Sequence, residues 1–309
     1  MMQVEGTTPL WIAARVLLYE RVDDFFRRRD NVFKAFDPED IHDLRVSSRR
    51  LREGLTLFAP CYEPGNITRL VKTVKRVTRL LGEMRNTDEA LLFFNALTDD
   101  VDSICRSDLE RLQLIFQNNR TKELKRLKPG LREIAPKPLR DLYLRTINAP
   151  SIFKPSSNDI DLFTPLSDFA RRSFDAQIAA VTSLVPLAQQ EQEIEAQHRL
   201  RIAVKHFRYR MEILSPLMGA DYQPLHTAVK DYQDVLGRMH DLDVFAGIIT
   251  KADFLPTVED LVRECMVEKR KNLFSDFAGM FETMPIALIG ERVRKLCETK
   301  QTGSHRYRY

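Results

Sequence analysis

Apolar residues recur along most of the chain with the spacing of a single helix face. In the segment 42–58, Leu44, Leu51, Leu55 and Phe58 fall on one side of a helical wheel, and polar residues fill the other side. Alternation of apolar and polar residues, which would indicate strands, does not continue over the length of a strand. The chain also holds only 11 glycines, which argues against a β protein with many turns. The pattern predicts an all-α protein. We place its helices near 9–30, 38–59, 67–98, 103–128, 138–148, 165–185, 190–215, 222–250, 257–280 and 286–300.

The helical pattern occurs twice. Three pairs of prolines match at a shift of 156 positions: Pro9 and Pro165, Pro60 and Pro216, Pro129 and Pro285. Because proline starts or stops helices, this repeat predicts that the helix boundaries themselves recur. We therefore expect two antiparallel four-helix-bundle halves that are related by an internal pseudo-twofold duplication.

Charged and apolar residues repeat with the prolines. At the same shift the matches include His42 with His198, Arg45 with Arg201, and Arg52 with Arg208. At a shift of 155 they include Lys75 with Lys230, Met84 with Met239, and Asp88 with Asp243. The predicted organisation is a first repeat over 1–150, a Pro/Ser/Asn-containing connector over 151–164, a second repeat over 165–300 and a basic flexible tail over 301–309.

Composition narrows the class of protein. The 309 residues include 48 Lys and Arg against 44 Asp and Glu, for a net charge of +4, with 43% hydrophobic residues, which is typical of a folded globular chain. No apolar run approaches the ~18 residues of a membrane-spanning helix, and no signal peptide is visible. The four cysteines are spaced neither as a disulfide framework nor as a zinc site. We expect a soluble cytoplasmic protein without a membrane partner.

Basic residues share one face of the second predicted helix. With His42 at zero on the wheel, Arg45, Arg49 and Arg52 lie at about −60°, −20° and −80°. The second repeat places its own set on the matching face: His198, Arg201, Lys205 and Arg208. The segment 198–210 has five Lys or Arg and no acid, so salt bridges within it are not available. A recurrent face of mutually repelling cations favours a polyanion ligand over an ordinary solvated surface.

The third predicted helix extends the basic surface in the first repeat only. Its basic residues on one side are Arg69, Lys72, Lys75, Arg76 and Arg79, and Arg85 follows Gly82. The second repeat retains Lys230 but has Thr227, Asp231 and Asp234 in place of Lys72, Arg76 and Arg79. A further basic patch of unassigned role covers 120–145. We expect the first repeat to contribute more charge to the site.

Four segments together resemble CHAD domains, the conserved-histidine α-helical domains. HDLRVSSRRLR (42–52) and HRLRIAVKHFRYRME (198–212) resemble one signature of that family, and LLGEMRNTD (80–88) and VLGRMHDLD (235–243) resemble the other. The resemblance spans roughly 10–300. It implies two four-helix bundles around a basic groove or pore that binds inorganic polyphosphate, often at polyphosphate granules. The ExExK motif of an attached CYTH domain is missing, so we expect a stand-alone member.

Transferred residue by residue, the resemblance implies a set of polyphosphate-binding side chains. The predicted set is His42, Arg45, Arg49, Arg52, Lys72, Lys75, Arg76, Arg79, Arg85, His198, Arg201, Lys205, Arg208 and Lys230. The second repeat departs from the first, since His240 stands in the position of Arg85 and Asp241-Leu242 in that of Asn86-Thr87. These differences predict that the second half binds polyphosphate more weakly or in a pH-sensitive way.

Two other functions remain open. The pairs His42-Asp43 and His240-Asp241 suggest a metal-dependent phosphohydrolase, but Asp43 lies ~100° from His42 on the wheel and arginines crowd the histidine. A nucleic-acid-binding module is the second alternative, although the basic faces lack interleaved aromatics for base stacking. Nucleotide-binding glycine motifs are absent from the sequence. We predict a non-catalytic protein with no cofactor and no metal, and the sequence leaves its oligomeric state unknown.

Overall fold

The computed structural model describes residues 3–133, 136–152 and 160–298. Within these residues the regular structure consists of helices, which confirms the all-α prediction. The long helices are α1 (Leu10–Ala35), α2 (Pro38–Leu57), α3 (Pro64–Asp100), α4 (Arg106–Arg132), α5 (Pro136–Ile147), α6 (Leu166–Ala188), α7 (Ile194–Leu214), α8 (Tyr222–Ile249), α9 (Pro256–Thr283) and α10 (Ile286–Leu296). The predicted tail and the middle of the predicted connector lie outside the described residues.

Local sequence signals set the ends of the helices. The Asp37 side chain accepts a hydrogen bond from the Glu39 N–H at 2.8 Å and caps α2, whose first residue is Pro38. α1 continues to Ala35, past the predicted end near residue 30, because its apolar face continues to the buried Val32. It ends where Phe36 adopts a left-handed backbone with φ of 56°.

The duplicated prolines agree with the helix ends in two of their three pairs. Pro9 and Pro165 each precede a helix and form an antiparallel backbone bridge with one another, and Pro60 and Pro216 each lie in a short 3₁₀ turn. The third pair departs from the prediction. Pro285 precedes α10, whereas Pro129 lies inside α4. The helix continues past it because the Pro129 carbonyl still accepts a hydrogen bond from the Glu133 N–H at 2.9 Å.

The two runs of five helices pack in the same order. α1 to α4 contact one another in succession, and α5 lies against α1 and α3. α6 to α9 repeat this succession, and α10 lies against α6 and α8. Each run thus holds five long helices among the described residues, as placed from the sequence, and the pseudo-twofold relation of the two halves stays a prediction. No described helix has both the length and the apolar character needed to cross a membrane.

The two runs meet along α2 and α7. Gly54 of α2 fits closely against α1, because a Cβ at this position would lie 3.1 Å from a methyl carbon of Leu18, whereas its distance of 3.8 Å to Ile213 of α7 is an ordinary contact. Aromatic rings join the runs on either side, with Phe58 stacked on Phe169 at 5.9 Å between ring centroids and Phe93 stacked on Phe245 at 4.6 Å. The core is therefore continuous across both runs.

Two buried glutamates bind the α2–α7 interface with reciprocal ion pairs. Glu53 of α2 accepts from His206 at 2.6 Å and from Arg210 at 3.0 Å, both in α7. Glu212 of α7 accepts from Arg50 of α2 at 2.5 Å. Arg50 and His206 correspond at the shift of 156, so each repeat contributes an equivalent donor to the other repeat's helix.

Neighbouring charges control the pKa of Glu212. Burial alone would raise it, but hydrogen bonds from His226 and Arg50 lower it to about 2, from a usual 4.5. A carboxylate whose pKa is lower in the folded chain than in the unfolded chain stabilises the fold above its unfolded pKa. That contribution is lost as the pH falls through its folded pKa.

We predict that Glu212→Gln lowers the free energy of unfolding at pH 7 by about 3 kcal/mol, because Arg50 and Arg208 then lose their buried carboxylate. Urea unfolding at pH 7 and pH 3 measures the loss, which should shrink at pH 3. Glu83→Gln, which changes an exposed glutamate in α3, is the matched control. An equal loss for the two variants at pH 7 would contradict the proposed role of Glu212.

Candidate anion-binding site

Cations from both runs of helices meet where α2 packs against α7. Arg45, Arg49 and Arg52 lie one helical turn apart on one face of α2, and Arg201 and Lys205 lie one turn apart on α7. All five side chains are half-buried. We call these five residues the cationic cluster.

The pKa values of the cationic cluster reflect this proximity. Burial, followed by the charges of Arg49, Arg201, Arg52 and Arg45, lowers the pKa of Lys205 to about 8. Burial and then the charge of Arg49 lower the pKa of Arg45 to about 10. The cations of the two helices therefore destabilise one another's charge, and an anion bound among them would relieve this repulsion.

Although the Asp241 carboxylate of α8 acts electrostatically on Arg201 and Arg45, the cationic cluster has no paired counter-charge. Its five side chains form no ion pair and donate no hydrogen bond to the residues that the structure describes. The Nε atoms of Arg45 and Arg201 are fully shielded from solvent and have no hydrogen-bond partner within that part of the chain. Buried donors without acceptors are energetically unfavourable. They therefore suit a ligand that supplies several anionic oxygens.

The neighbouring arginines of the same two helices behave differently. Arg50 and Arg210 pair with Glu212 and Glu53 across the interface. Arg208, which the sequence places in the binding set, is also engaged, since its guanidinium pairs with Glu212 at 3.1 Å and donates to Gln233 at 2.9 Å. The ion-paired arginines hold the helices together, whereas the residues of the cationic cluster have no such partners among the described residues.

The difference between Arg52 and Arg208 has a local cause. The two arginines are equivalent in the repeat, but Glu212 follows Arg208 by one helical turn, whereas Thr56 takes that position after Arg52. The Thr56 hydroxyl bonds to the backbone carbonyl of Arg52 at 2.9 Å and offers no negative charge. The structure therefore separates Arg208, at 8% exposure, from the other predicted ligands of α7.

Three histidines border the cationic cluster. Burial and then the charge of Arg85 lower the pKa of His42, whose Nδ1 is buried without a partner among the described residues. In the second repeat the Nδ1 atoms of His198 and His240 lie 3.1 Å apart. Burial, followed by the charges of Arg201 and His198, lowers the pKa of His240 to about 4. The imidazole of His240 is therefore neutral at pH 7 before any anion binds.

Acidic residues also border the cationic cluster. Arg85 pairs with Glu89 one turn along α3. Burial and then the charge of Glu89 raise the pKa of Asp241, while Arg201 and Arg45 counteract this effect. Glu89 and Asp241 also line a cleft of about 540 Å³ whose other walls include Phe93 and Phe245. The two carboxylates thus lie beside both the cationic cluster and this cleft.

The predicted ligands of α3 and α8 are dispersed. Lys72 and Arg76 face the groove between α3 and α5, where Arg76 pairs with Glu133. Lys75 and Arg79 are exposed and make no ion pair with described residues. Lys230 is exposed, and its Nζ lies 3.9 Å from the Oδ2 of Asp234. Of the predicted set, the structure brings together His42, Arg45, Arg49, Arg52, Arg85, Arg201 and Lys205, with His198 alongside through His240.

His240 and Asp241 are the residues of the site that the predicted set omits. Both belong to the VLGRMHDLD segment, and His240 takes the position of Arg85, so the repeat itself carried the signal. Asp243, in contrast, accepts from Arg270 of α9 at 2.6 Å and supports the packing of α8. Within residues 3–133, 136–152 and 160–298, no three His, Cys, Asp or Glu side chains form a group that could hold a metal ion.

A helical fold whose two runs join at a cationic cluster defines a recognisable class of protein. The family model described as the CHAD domain matches residues 16–250, which is most of the chain. The chain belongs to the CHAD domain family, which confirms the resemblance seen in its four signature segments.

Solved structures agree with this assignment at the level of the fold. The chain is similar to the crystal structure of the CHAD domain from the plant Ricinus communis, with 22% identity over 96% of this chain and 94% of that chain and a TM-score of 0.59. It is also similar to PptA from Streptomyces chartreusis, with 16% identity over 93% of this chain and 100% of that chain and a TM-score of 0.61. No curated protein matches the chain.

We predict that Arg201→Gln raises the pKa of His240 by roughly half a pH unit, because one nearby positive charge is removed. An NMR titration of the imidazole signals in the absence of anions measures this value. Arg199→Gln is the matched control, since Arg199 is exposed on the same helix. A pKa of His240 near 6.5 in the unmodified protein would contradict the described surroundings of this residue.

Proposed function

We propose that this protein binds inorganic polyphosphate at the cationic cluster and does not turn it over. The observation that carries the proposal is the meeting of Arg45, Arg49 and Arg52 with Arg201 and Lys205, none of which forms an ion pair with a described residue. Membership of the CHAD family supports it. Polyphosphate carries about one negative charge per phosphate and has no bases, so charge density alone is available for recognition.

The residue types suit phosphate oxygens. A guanidinium donates two parallel hydrogen bonds to a phosphate, and an ammonium adds a compact charge. The buried ion pairs of Glu53 and Glu212 fix α2 and α7 relative to each other. A cluster held in place before binding loses less conformational entropy when the ligand arrives. We propose that one polyphosphate chain contacts both repeats at this crossing.

Exposed cations of the first repeat provide a path for the rest of a long chain. Lys75 and Arg79 have no ion pair with described residues, and Lys72 lines the groove beside α5. We propose that they contact segments of polyphosphate beyond the cationic cluster, and that Lys230 does so more weakly because of Asp234. Binding of this kind would associate the protein with polyphosphate granules.

We predict that Arg201→Ala weakens polyphosphate binding at least roughly 10-fold, because a charge-assisted hydrogen bond contributes about 1.5–3 kcal/mol. Arg199→Ala removes the same charge from an exposed position of the same helix and should change the affinity less than about 2-fold. Titrations with long-chain polyphosphate at several salt concentrations measure both affinities, and the affinity should fall steeply with salt.

Single-stranded RNA and duplex DNA are run in the same titrations. Phe207 and Tyr209, the aromatic residues within the basic segment of α7, are buried at 1% and 2% exposure and offer no stacking surface. Polyphosphate should therefore bind more tightly than either nucleic acid. Equal losses for Arg201→Ala and Arg199→Ala, or tighter binding of nucleic acid, would contradict the proposal.

We predict that the affinity for polyphosphate falls as the pH rises from 6 to 9. Bound phosphates raise the pKa of Lys205 above its value of about 8 in the unliganded protein and favour protonation of His240, so binding takes up protons. Calorimetric titrations at pH 6, 7, 8 and 9 measure the dependence. Lys205→Arg keeps its charge over this range and should flatten the profile between pH 8 and 9. An affinity that does not change between pH 6 and 9 would contradict this account.

A further inference from the structure

Lys205 has an unusual position among the lysines of the described chain. Arg201 lies one turn before it on α7, and Arg49, Arg52 and Arg45 face it from α2. No described carboxylate pairs with it, whereas Lys269, also half-buried, binds Asp100 at 2.8 Å. One amine thus lies among guanidiniums that form no ion pair with a described carboxylate.

We infer that Lys205 is a site of covalent acylation by small acyl phosphates. The guanidiniums of the cationic cluster bind the phosphate end of such a molecule, and this places its carbonyl carbon beside the Lys205 amine. This activity goes beyond polyphosphate binding and does not require it, although it uses the same side chains.

The reaction needs a neutral amine, and the surroundings supply one. At pH 7.5 about one quarter of an amine with a pKa near 8 is neutral, against roughly one in a thousand for an ordinary lysine. Burial and the four arginine charges lower the pKa of Lys205 to this range. The arginines stay charged and are not nucleophiles, so Lys205 is the reactive member of the cationic cluster.

Acylation of Lys205 requires no reactant other than the lysine amine and the acyl phosphate. The neutral Nζ of Lys205 attacks the carbonyl carbon, an N–C bond forms, and the bond between that carbon and the phosphate oxygen breaks. Inorganic phosphate leaves with the electron pair, and the nitrogen loses one proton to solvent. The product is an amide, and the arginines stabilise the departing phosphate as its charge increases.

Acylation would change the site itself. The amide carries no charge, so the cationic cluster loses one of its five cations together with the repulsion that this cation exerts on Arg49 and Arg201. Acylated protein should therefore bind a polyanion less tightly. The modification would couple polyanion binding to the supply of acyl phosphates.

The experiment treats the full chain with acetyl phosphate at pH 7.5 and follows each lysine by quantitative peptide mass spectrometry. Lys269 is the comparator within the same chain, because it is half-buried but ion-paired. We expect Lys205 to react at least 10-fold faster than Lys269. With N-acetoxysuccinimide, an uncharged reagent, this ratio should be at least 3-fold smaller, since no phosphate is captured.

Arg49→Gln tests the contribution of the cationic cluster. It should reduce the reaction of Lys205 with acetyl phosphate at least 3-fold more than that with N-acetoxysuccinimide, while Lys269 reacts as before and reports an intact fold. Reaction of Lys205 no faster than Lys269, or an equal preference for Lys205 with both reagents, would overturn the inference.

A further measurement, acetylation in the presence of long-chain polyphosphate, tests this inference independently of the proposed function. Long-chain polyphosphate should protect Lys205 from acetyl phosphate if it occupies the cationic cluster. Selective acetylation without protection would sustain the acylation inference and contradict polyphosphate binding. Protection of Lys205 by polyphosphate together with unselective acetylation would support polyphosphate binding and contradict the acylation inference.

Discussion

The contact between α2 and α7 is the constraint on which the rest of the molecule depends. Glu53 and Glu212 are buried there and must be paired, because an isolated buried carboxylate is strongly unfavourable. Each is neutralised by an arginine from the opposite run of helices, with Arg50 bound to Glu212 and Arg210 to Glu53. These pairs join the two runs and use the cations that lie within the interface.

The cations left over define the site. α2 turns one face to the core, with Leu44 and Leu51 fully buried, a second face to α7 through Arg50 and Glu53, and a third that carries the cationic residues Arg45 and Arg49. Three environments on one helix follow from the 3.6-residue period. The site is cationic because the two buried glutamates pair with the arginines of the interface, and no described carboxylate pairs with the cations of the third face.

Helical periodicity and the repeat were sufficient to predict the fold class, most helix ends and the basic faces of α2 and α7. Neither helical periodicity nor the repeat predicts which side chains of different helices come into contact. Arg208 looked equivalent to Arg52 until its pairing with Glu212 was visible, and Lys72 looked like part of the central surface until α5 was seen beside it. The apposition of His198 and His240 likewise depends on how α7 packs against α8, which a helical wheel does not contain.

We propose that both repeats contribute to one anion-binding site. A crystal structure of the protein with a short polyphosphate of defined length tests this directly. We expect phosphate oxygens within hydrogen-bond distance of Arg49 on α2 and of Arg201 or Lys205 on α7 in the same molecule. A ligand bound only in the groove between α3 and α5, or only by one repeat, would contradict it.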